Sequence, residues 1–189
     1  MARTKIRASR SACLHCARMD RWGFADETRR RGRYGIAVAI VCPCQEEIVS
    51  KVMRGSVPPG TRRVHSSKLR DRDRRLVVSQ FSPENLRALY VSARGRQTDA
   101  RSECWRLLVP QLVEVGVVKL TIEQIDDGGK ARDRRDIRNV LLAIDRESDL
   151  TYQHEDQVGK PMLWVADTIA WCAGAGSDWR ARIAPILYR

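Results

Sequence analysis

The chain has 189 residues, 43% of them hydrophobic and 31% charged, with a formal net charge of +12. That length suits one domain with its own core, and the apolar share excludes disorder throughout. No run of about 18 apolar residues is present to span a membrane, and no apolar stretch of a secretory signal follows the basic N-terminus, so a cytoplasmic protein is expected. The positive charge, carried mostly by arginine, points to a polyanionic partner such as nucleic acid; the plain alternative is an arginine-rich solvated surface.

Residues 1–19 are basic and Ser/Arg-rich, and are expected to form a flexible tail unless a metal or partner orders them. Residues 20–189 then form a single domain. Cys13 and Cys16 make a CxxC, and Cys42 and Cys44 a CxC. Together they could supply a four-thiolate Zn²⁺ site, with His15 as a spare ligand; a redox pair is the rival expectation. Cys104 and Cys172 fall within helical patterns and are expected to pack as small apolar groups.

Arg21 to Glu27 reads as a strand, with Trp22, Phe24 and Asp26 on one face. Arg29 to Arg33 is a basic turn, and Tyr34 to Cys42 is an apolar run suited to a strand buried on both faces. The two strands should pair as a hairpin. Residues 45–53 fit either a third strand or a short helix, and 55–60 form a loop. A charged helix is expected over Ser67–Phe81, with Leu69, Arg72 and Leu76 on its apolar edge and Arg70 and Arg74 on its solvated or anion-facing side. Leu86–Ala93 reads as a strand. Ala100–Val115 reads as a helix that Pro110 should kink or shorten.

Val117–Ile125 is a strand with Lys119, Thr121 and Glu123 on its polar face. A Gly-Gly turn over Asp126–Lys130 leads to an amphipathic helix, Ala131–Ile144. Ile137, Val140, Leu141 and Ile144 face inward there, and Arg134, Arg135 and Arg138 crowd the polar side. Leu150–Glu155 is a last strand. Pro161–Ala173 is an apolar helix with proline at its first position, and 178–188 adds a small terminal helix. The alternation predicts an α/β domain: a mixed sheet with an N-terminal antiparallel hairpin or meander, and helices packed on it.

Asp167 lies amid the apolar stripe of the late helix, where a carboxylate is costly unless paired, protonated or bound to a cation. Asp26, Glu27 and Glu123 stand where the sheet could gather them near it. Mg²⁺ and Mn²⁺ prefer carboxylate oxygens, and a pair of such ions can activate water against a phosphodiester. The bland alternatives are ion pairs of Asp26 and Glu27 with the arginine turn, of Glu123 with Lys119, and of Asp167 with an arginine. His65 could shuttle a proton or contact a phosphate, or merely begin a helix. His154, beside Glu155 and Asp156, could be a metal ligand or a satisfied strand-end histidine. Trp164 and Trp171 suit core packing, and Trp179 suits core packing over base stacking.

The segment FADETRRRGRYGIAVAIV resembles the opening motif of an uncharacterised RNase H-like family, in which a strand ending in Asp-Glu-Ser-Gly precedes a long apolar strand. PMLWVADTIAW resembles that family's closing Leu-Gln-x-Ala-Asp helix. RVHSSKLRDRDRR is similar to its His-containing helix entry, and KLTIEQID to its later acid-bearing strand. The resemblance covers about residues 21–175. It implies an RNase H-like fold with a Mg²⁺ or Mn²⁺ site at Asp26, Glu123 and Asp167, with Glu27, His65 and Lys68 at accessory positions. A metal-dependent nuclease or phosphodiesterase acting on nucleic acid would follow, with Arg70, Arg74, Arg134, Arg135 and Arg138 as backbone contacts. Thr28-Arg29 replaces the family's Ser-Gly and Trp164 its Gln, and its helix acid has no clear counterpart. A non-catalytic basic scaffold for nucleic acid or protein is therefore the alternative.

Overall fold

The computed structural model describes residues 20–188, so the tail with Cys13, His15 and Cys16 lies outside the described residues. Strand β1 (Arg21–Arg30) and strand β2 (Arg33–Val41) form the expected hairpin. It closes through Arg31 and Gly32, whose φ angles are 53° and 69°. Positive φ at both central positions is the turn geometry that matches the twist of paired strands. β1 thus continues past Glu27, and Asp26 sits within the strand rather than at its end.

Helix α1 (Pro43–Gly55) resolves the ambiguous stretch as helical. Proline occupies its first turn, and Val49, Ser50 and Met53 are buried at helical spacing. The single helix expected over 67–81 is instead a 3₁₀ turn at Ser66–Lys68 followed by helix α2 (Asp71–Val78). The break falls at Leu69 and Arg70, both extended. The Arg74 guanidinium donates to the carbonyls of Ser66 and Leu69, taking acceptors that a continuous helix would use itself. Val77 and Val78 pack inward, while Leu76 is exposed.

Strand β3 (Arg87–Arg94) precedes helix α3 (Gln97–Glu114), which runs through Pro110. An interior proline costs about 3 kcal/mol or more. Here Leu108, Val109, Leu112 and Val113 are all buried around it, and that packing holds the helix until Gly116, at φ 76°, turns the chain. Strand β4 (Val117–Glu123) leads to helix α4 (Asp127–Ala143). The Gly-Gly pair lies inside α4's first turn because the Asp126 side chain caps it, accepting from the Gly129 N–H at 2.8 Å. A Cβ at Gly129 would stand 2.4 Å from Ile125 Cδ1. Strand β5 (Thr151–Glu155), helix α5 (Pro161–Ala175) and helix α6 (Ser177–Ile183) complete the chain, before a short 3₁₀ turn at Ala184–Ile186.

The sheet order is β3-β2-β1-β4-β5. β2 is antiparallel to both its neighbours, and β1–β4 and β4–β5 are parallel. β1 is therefore central. Alternation along it sends Trp22, Phe24 and Asp26 to the face covered by α5 and α1, and Ala25 and Glu27 to the face covered by α3 and α4. Two hydrophobic cores result, one on each face. Every residue of α5 from Pro161 through Ala170 is buried.

Candidate active site

The parallel register pairs Ala25 with Ile122, so the next residues, Asp26 and Glu123, lie side by side on the α5 face. Asp167 reaches the same place from the middle of α5. Asp26 is 5% and Asp167 9% exposed. The carboxyl of Asp26 is within hydrogen-bonding reach of Glu123 and feels the charge of Asp167. Burial first, then the hydrogen bond and charge of Glu123, then the charge of Asp167, push the Asp26 pKa well above the usual carboxylate range. The Glu27 main-chain N–H, donating to Asp26 Oδ1 at 2.6 Å, opposes the rise.

Gln157, in the loop between β5 and α5, was not singled out by sequence reasoning. It is 4% exposed. Its amide donates to Asp26 Oδ2 at 3.2 Å and to Glu123 Oε1, while its side-chain carbonyl accepts from Arg63 Nη1. The Trp164 indole N–H fixes this residue by donating to its main-chain carbonyl at 2.8 Å. Trp164 thus anchors the main chain of the residue whose amide meets both carboxylates. No sequence signal marks Gln157, because a lone glutamine in a loop is ordinary.

Asp167 Oδ2 accepts from the Ser66 N–H at 2.6 Å and lies 3.6 Å from His65 Nδ1. The Ser66 hydroxyl donates to Thr168 Oγ1 at 2.8 Å, tying the 3₁₀ turn to α5. Among the described residues, none of Asp26, Glu123 and Asp167 is ion-paired with lysine or arginine; their partners are Gln157, Ser66, His65 and one another. Lys119 lies over the Trp22 ring at 5.1 Å rather than pairing with Glu123.

Other expected positions fall elsewhere. Glu27 is not beside Asp26: strand alternation turns it to the opposite face, where it accepts from Tyr34 and Arg101 and pairs with Arg29 at 2.7 Å. Arg74 is not on a solvated face. It is 3% exposed, pairs with Asp71 at 2.5 Å and stacks over the Trp171 ring at 3.6 Å. Lys68 is exposed beside His65, and Arg70 is exposed at the start of α2, paired with Asp73 at 2.9 Å. Arg134, Arg135 and Arg138 are exposed on α4, over the other face of the sheet.

His154 is held at the strand end through one ring nitrogen, its Nε2 2.9 Å from Asp133 Oδ2, while its buried Nδ1 has no hydrogen-bond partner among the described residues. Asp133 is the unanticipated member of a second polar cluster. Arg101 grips it in a fork at 2.6 and 2.7 Å, and the Trp105 indole donates to it at 2.8 Å. Burial would raise the Asp133 pKa, but the hydrogen bonds from Arg101 and His154 hold it below its ordinary value. Cys104 and Cys172 are buried, burial pushing their thiols up to about 11 and about 12 respectively, as apolar packing requires. Cys42 and Cys44 bring their sulfurs within 3.1 Å at the start of α1. Trp179 packs edge-on against Trp171, with ring centroids 5.2 Å apart.

Among the described residues, no three His, Cys, Asp or Glu side chains are gathered into a ready-made ligand cluster. Mg²⁺ is commonly held by one or two carboxylates with waters and substrate phosphates completing the shell, and adjacent carboxylates lacking a basic partner fit such a hard cation in kind.

No protein-family model and no curated protein sequence matches the chain. Among solved structures, it is similar to RNase HII in the PCNA:RNase HII complex from Archaeoglobus fulgidus, at 14% identity and a TM-score of 0.57, over 82% of this chain and 72% of that one. The fold is thus α/β and RNase H-like, with its mixed five-stranded sheet. Among the described residues no helix is long and apolar enough to cross a membrane.

Proposed function

We propose that the chain is a metal-dependent hydrolase of nucleic-acid phosphodiesters. The observation that carries this is Asp26, a buried carboxyl set against Glu123 and Asp167 with no basic partner among the described residues, its proton affinity raised by burial first and then by their company. A divalent cation is the natural remedy for such crowding. Asp26 and Glu123 would hold Mg²⁺ or Mn²⁺, with Asp167 alongside. When bound, the ion supplies an acidified water and neutralises charge on the phosphate. His65, 3.6 Å from Asp167, is assigned the role of proton carrier. Lys68 and Arg70, on the same side of the sheet, are assigned to backbone phosphates, and the α4 arginines add long-range attraction. Glu27 and Arg74 have no part in the site. A Zn²⁺ site at Cys42 and Cys44 with Cys13 and Cys16 is proposed in a structural role only.

Incubation with labelled single- and double-stranded DNA, RNA and hybrid in Mn²⁺ tests this. Cleavage reduced to background in Asp26→Asn and Asp167→Asn is expected; no cleavage of any substrate, or cleavage unchanged in the variants, rejects it. One observation favours the alternative of a non-catalytic nucleic-acid-binding scaffold: the Gln157 amide already donates to both carboxylates. That reading requires calorimetry to detect no Mn²⁺ binding.

A further inference from the structure

We infer that a second site, at the far end of the same sheet face, takes backbone phosphates of a nucleic-acid strand. It is a depression of about 380 Å³ between the tip of the β1–β2 hairpin, β3 and the end of α5. Arg30, Arg31, Arg33 and Arg180 line it, with Tyr90 and Ser92 also in its wall, and no described carboxylate does. The inference rests on the reading that nucleic acid is the ligand, but not on catalysis.

The arginines are crowded by the fold itself. Arg30 is directly opposite Arg33 across the hairpin, and Arg33 is directly opposite Arg94 on β3. Like charges in directly opposed strand positions are destabilising. Elsewhere the surface arginines of this chain commonly meet a carboxylate three or four residues away, as in Arg70–Asp73, Arg96–Asp99, Arg106–Glu103, Arg146–Asp149 and Arg182–Asp178. Among the described residues, no ion pair is formed by Arg30, Arg31, Arg33 or Arg180, and no carboxylate compensates this row of guanidiniums. It mirrors the uncompensated acids at the other site.

Several features hold the arginines ready. The Arg30 guanidinium lies 4.5 Å from the Trp171 ring centroid, and Arg33 Nε donates to the Ser92 hydroxyl at 3.2 Å. Gly176, at φ 77°, leaves room for Arg31: a Cβ there would stand 3.4 Å from Arg31 Nη1. Gly174 lets the last turn of α5 settle on Thr28, whose hydroxyl would be 2.9 Å from a Cβ. Guanidinium groups fixed around hydroxyl donors are the chemistry that grips phosphate oxygens.

The two sites share one line. Thr28 and Arg30 follow Asp26 on the same face of β1, so Arg30 lies about 13 Å beyond Asp26 at roughly 3.3 Å per strand residue. Gly174 lies two helical turns beyond Asp167, about 10 Å. That separation equals a few nucleotides at about 3.4 Å of axis each. A strand whose one phosphate meets the acids would lay a phosphate a few nucleotides further along in the arginine site, which gives that site a positioning role toward the substrate.

The test uses the full chain in EDTA, so that binding is read without cleavage. The probe is a fluorescein-labelled single strand of about twelve nucleotides, within the span of known single-strand sites, followed by anisotropy across a salt series. Replacing Arg31, Arg33 and Arg180 by Gln should weaken binding by roughly tenfold or more and flatten the salt dependence by about 0.7 in slope for each phosphate no longer neutralised. A control with Arg96, Arg106 and Arg146 replaced by Gln has the same net charge and should bind nearly as wild type. Equal weakening in both variants, or none in the first, overturns the site. Titration with inorganic pyrophosphate, read by tryptophan fluorescence from Trp171, separates the sources: quenching by pyrophosphate with no binding of the oligonucleotide would assign the pocket to a free phosphate compound and overturn the strand-binding inference. Weakened binding in the arginine variant alongside absent Mn²⁺ cleavage in wild type would sustain this site while removing the catalytic proposal.

Discussion

Asp26 and Glu27 are adjacent in the chain and face opposite sides of the sheet, one set among acids and the other held by Arg101 and Tyr34. The first carboxyl is destabilised as a charge; the second is compensated. One strand therefore carries, at consecutive positions, a carboxyl with no cationic partner among the described residues and a carboxyl that already has one.

Neutralising the first should stabilise the apo protein. In EDTA at neutral pH, Asp26→Asn removes a buried carboxyl whose charged form is disfavoured beside Glu123 and Asp167, and should raise the urea midpoint above wild type. Mn²⁺ should raise the wild-type midpoint and leave that of the variant nearly unchanged, since only a ligand bound to the native state stabilises it.

The pH dependence has a definite sign. The ordinary value for Asp26 is 3.8, and the folded protein raises it. A group whose folded pKa is raised contributes stability fully below its unfolded pKa and loses it as pH rises through the folded pKa. The wild type should therefore lose stability relative to Asp26→Asn as pH climbs from about 4 toward neutral in EDTA. Denaturant titrations at successive pH values check this; a constant difference between the two proteins contradicts it. Asp133, held low, acts in the opposite sense, its contribution vanishing as pH falls through its folded pKa.

The Arg101–Asp133 fork is buried on both sides, with side-chain exposures of 8% and 1%. Removing one partner strands the other, so Asp133→Ala should cost about 3–5 kcal/mol. Arg101→Met should cost a similar amount, and the double variant less than the sum. Equilibrium urea unfolding of the four proteins gives the coupling directly.

Gln157→Leu should leave the fold intact and strip both carboxylates of their shared donor. Without it the already raised proton affinity of Asp26 should rise further, so Mn²⁺ binding, which competes with protons for the carboxylate, should weaken and require higher pH. Calorimetry over a pH series reads both. Trp164→Phe, which releases the main chain of Gln157 rather than its amide, should show the same trend at smaller amplitude.

Gly35 faces Tyr90 so closely that a Cβ would stand 2.5 Å from its hydroxyl oxygen and 2.8 Å from the ring. Gly35→Ala should destabilise by about 1–3 kcal/mol through overpacking, and adding Tyr90→Ala should recover part of that deficit in thermal unfolding.

Much of this architecture is legible from period alone. The alternation of Trp22, Phe24 and Asp26, the apolar run of β2 and the unbroken apolar helix α5 each announce their burial, and together they give the sheet and its cover. The meeting of Asp26 with Glu123 depends on the parallel register of β1 with β4, a long-range pairing that no local pattern encodes. Glu27 could have been excluded from the outset, since the same alternation that sends Asp26 to one face sends its neighbour to the other. Arg74 misleads because a long charged side chain on a charged helix suggests water, whereas two carbonyls and Trp171 draw it inward. Gln157 and Asp133 are invisible in the sequence for a shared reason: a polar residue's burial is set by partners far away along the chain.

The absence of any wet side on most of α5 has a kinetic consequence. A helix enclosed by the sheet, α1 and α6 can swing free only when those layers part, so its amides should exchange with deuterium at the slowest, globally limited rate. Asp167 rides on that helix. The carboxylate is thereby carried by a segment expected to open only with the whole molecule, and the Ser66 N–H holds its Oδ2 there.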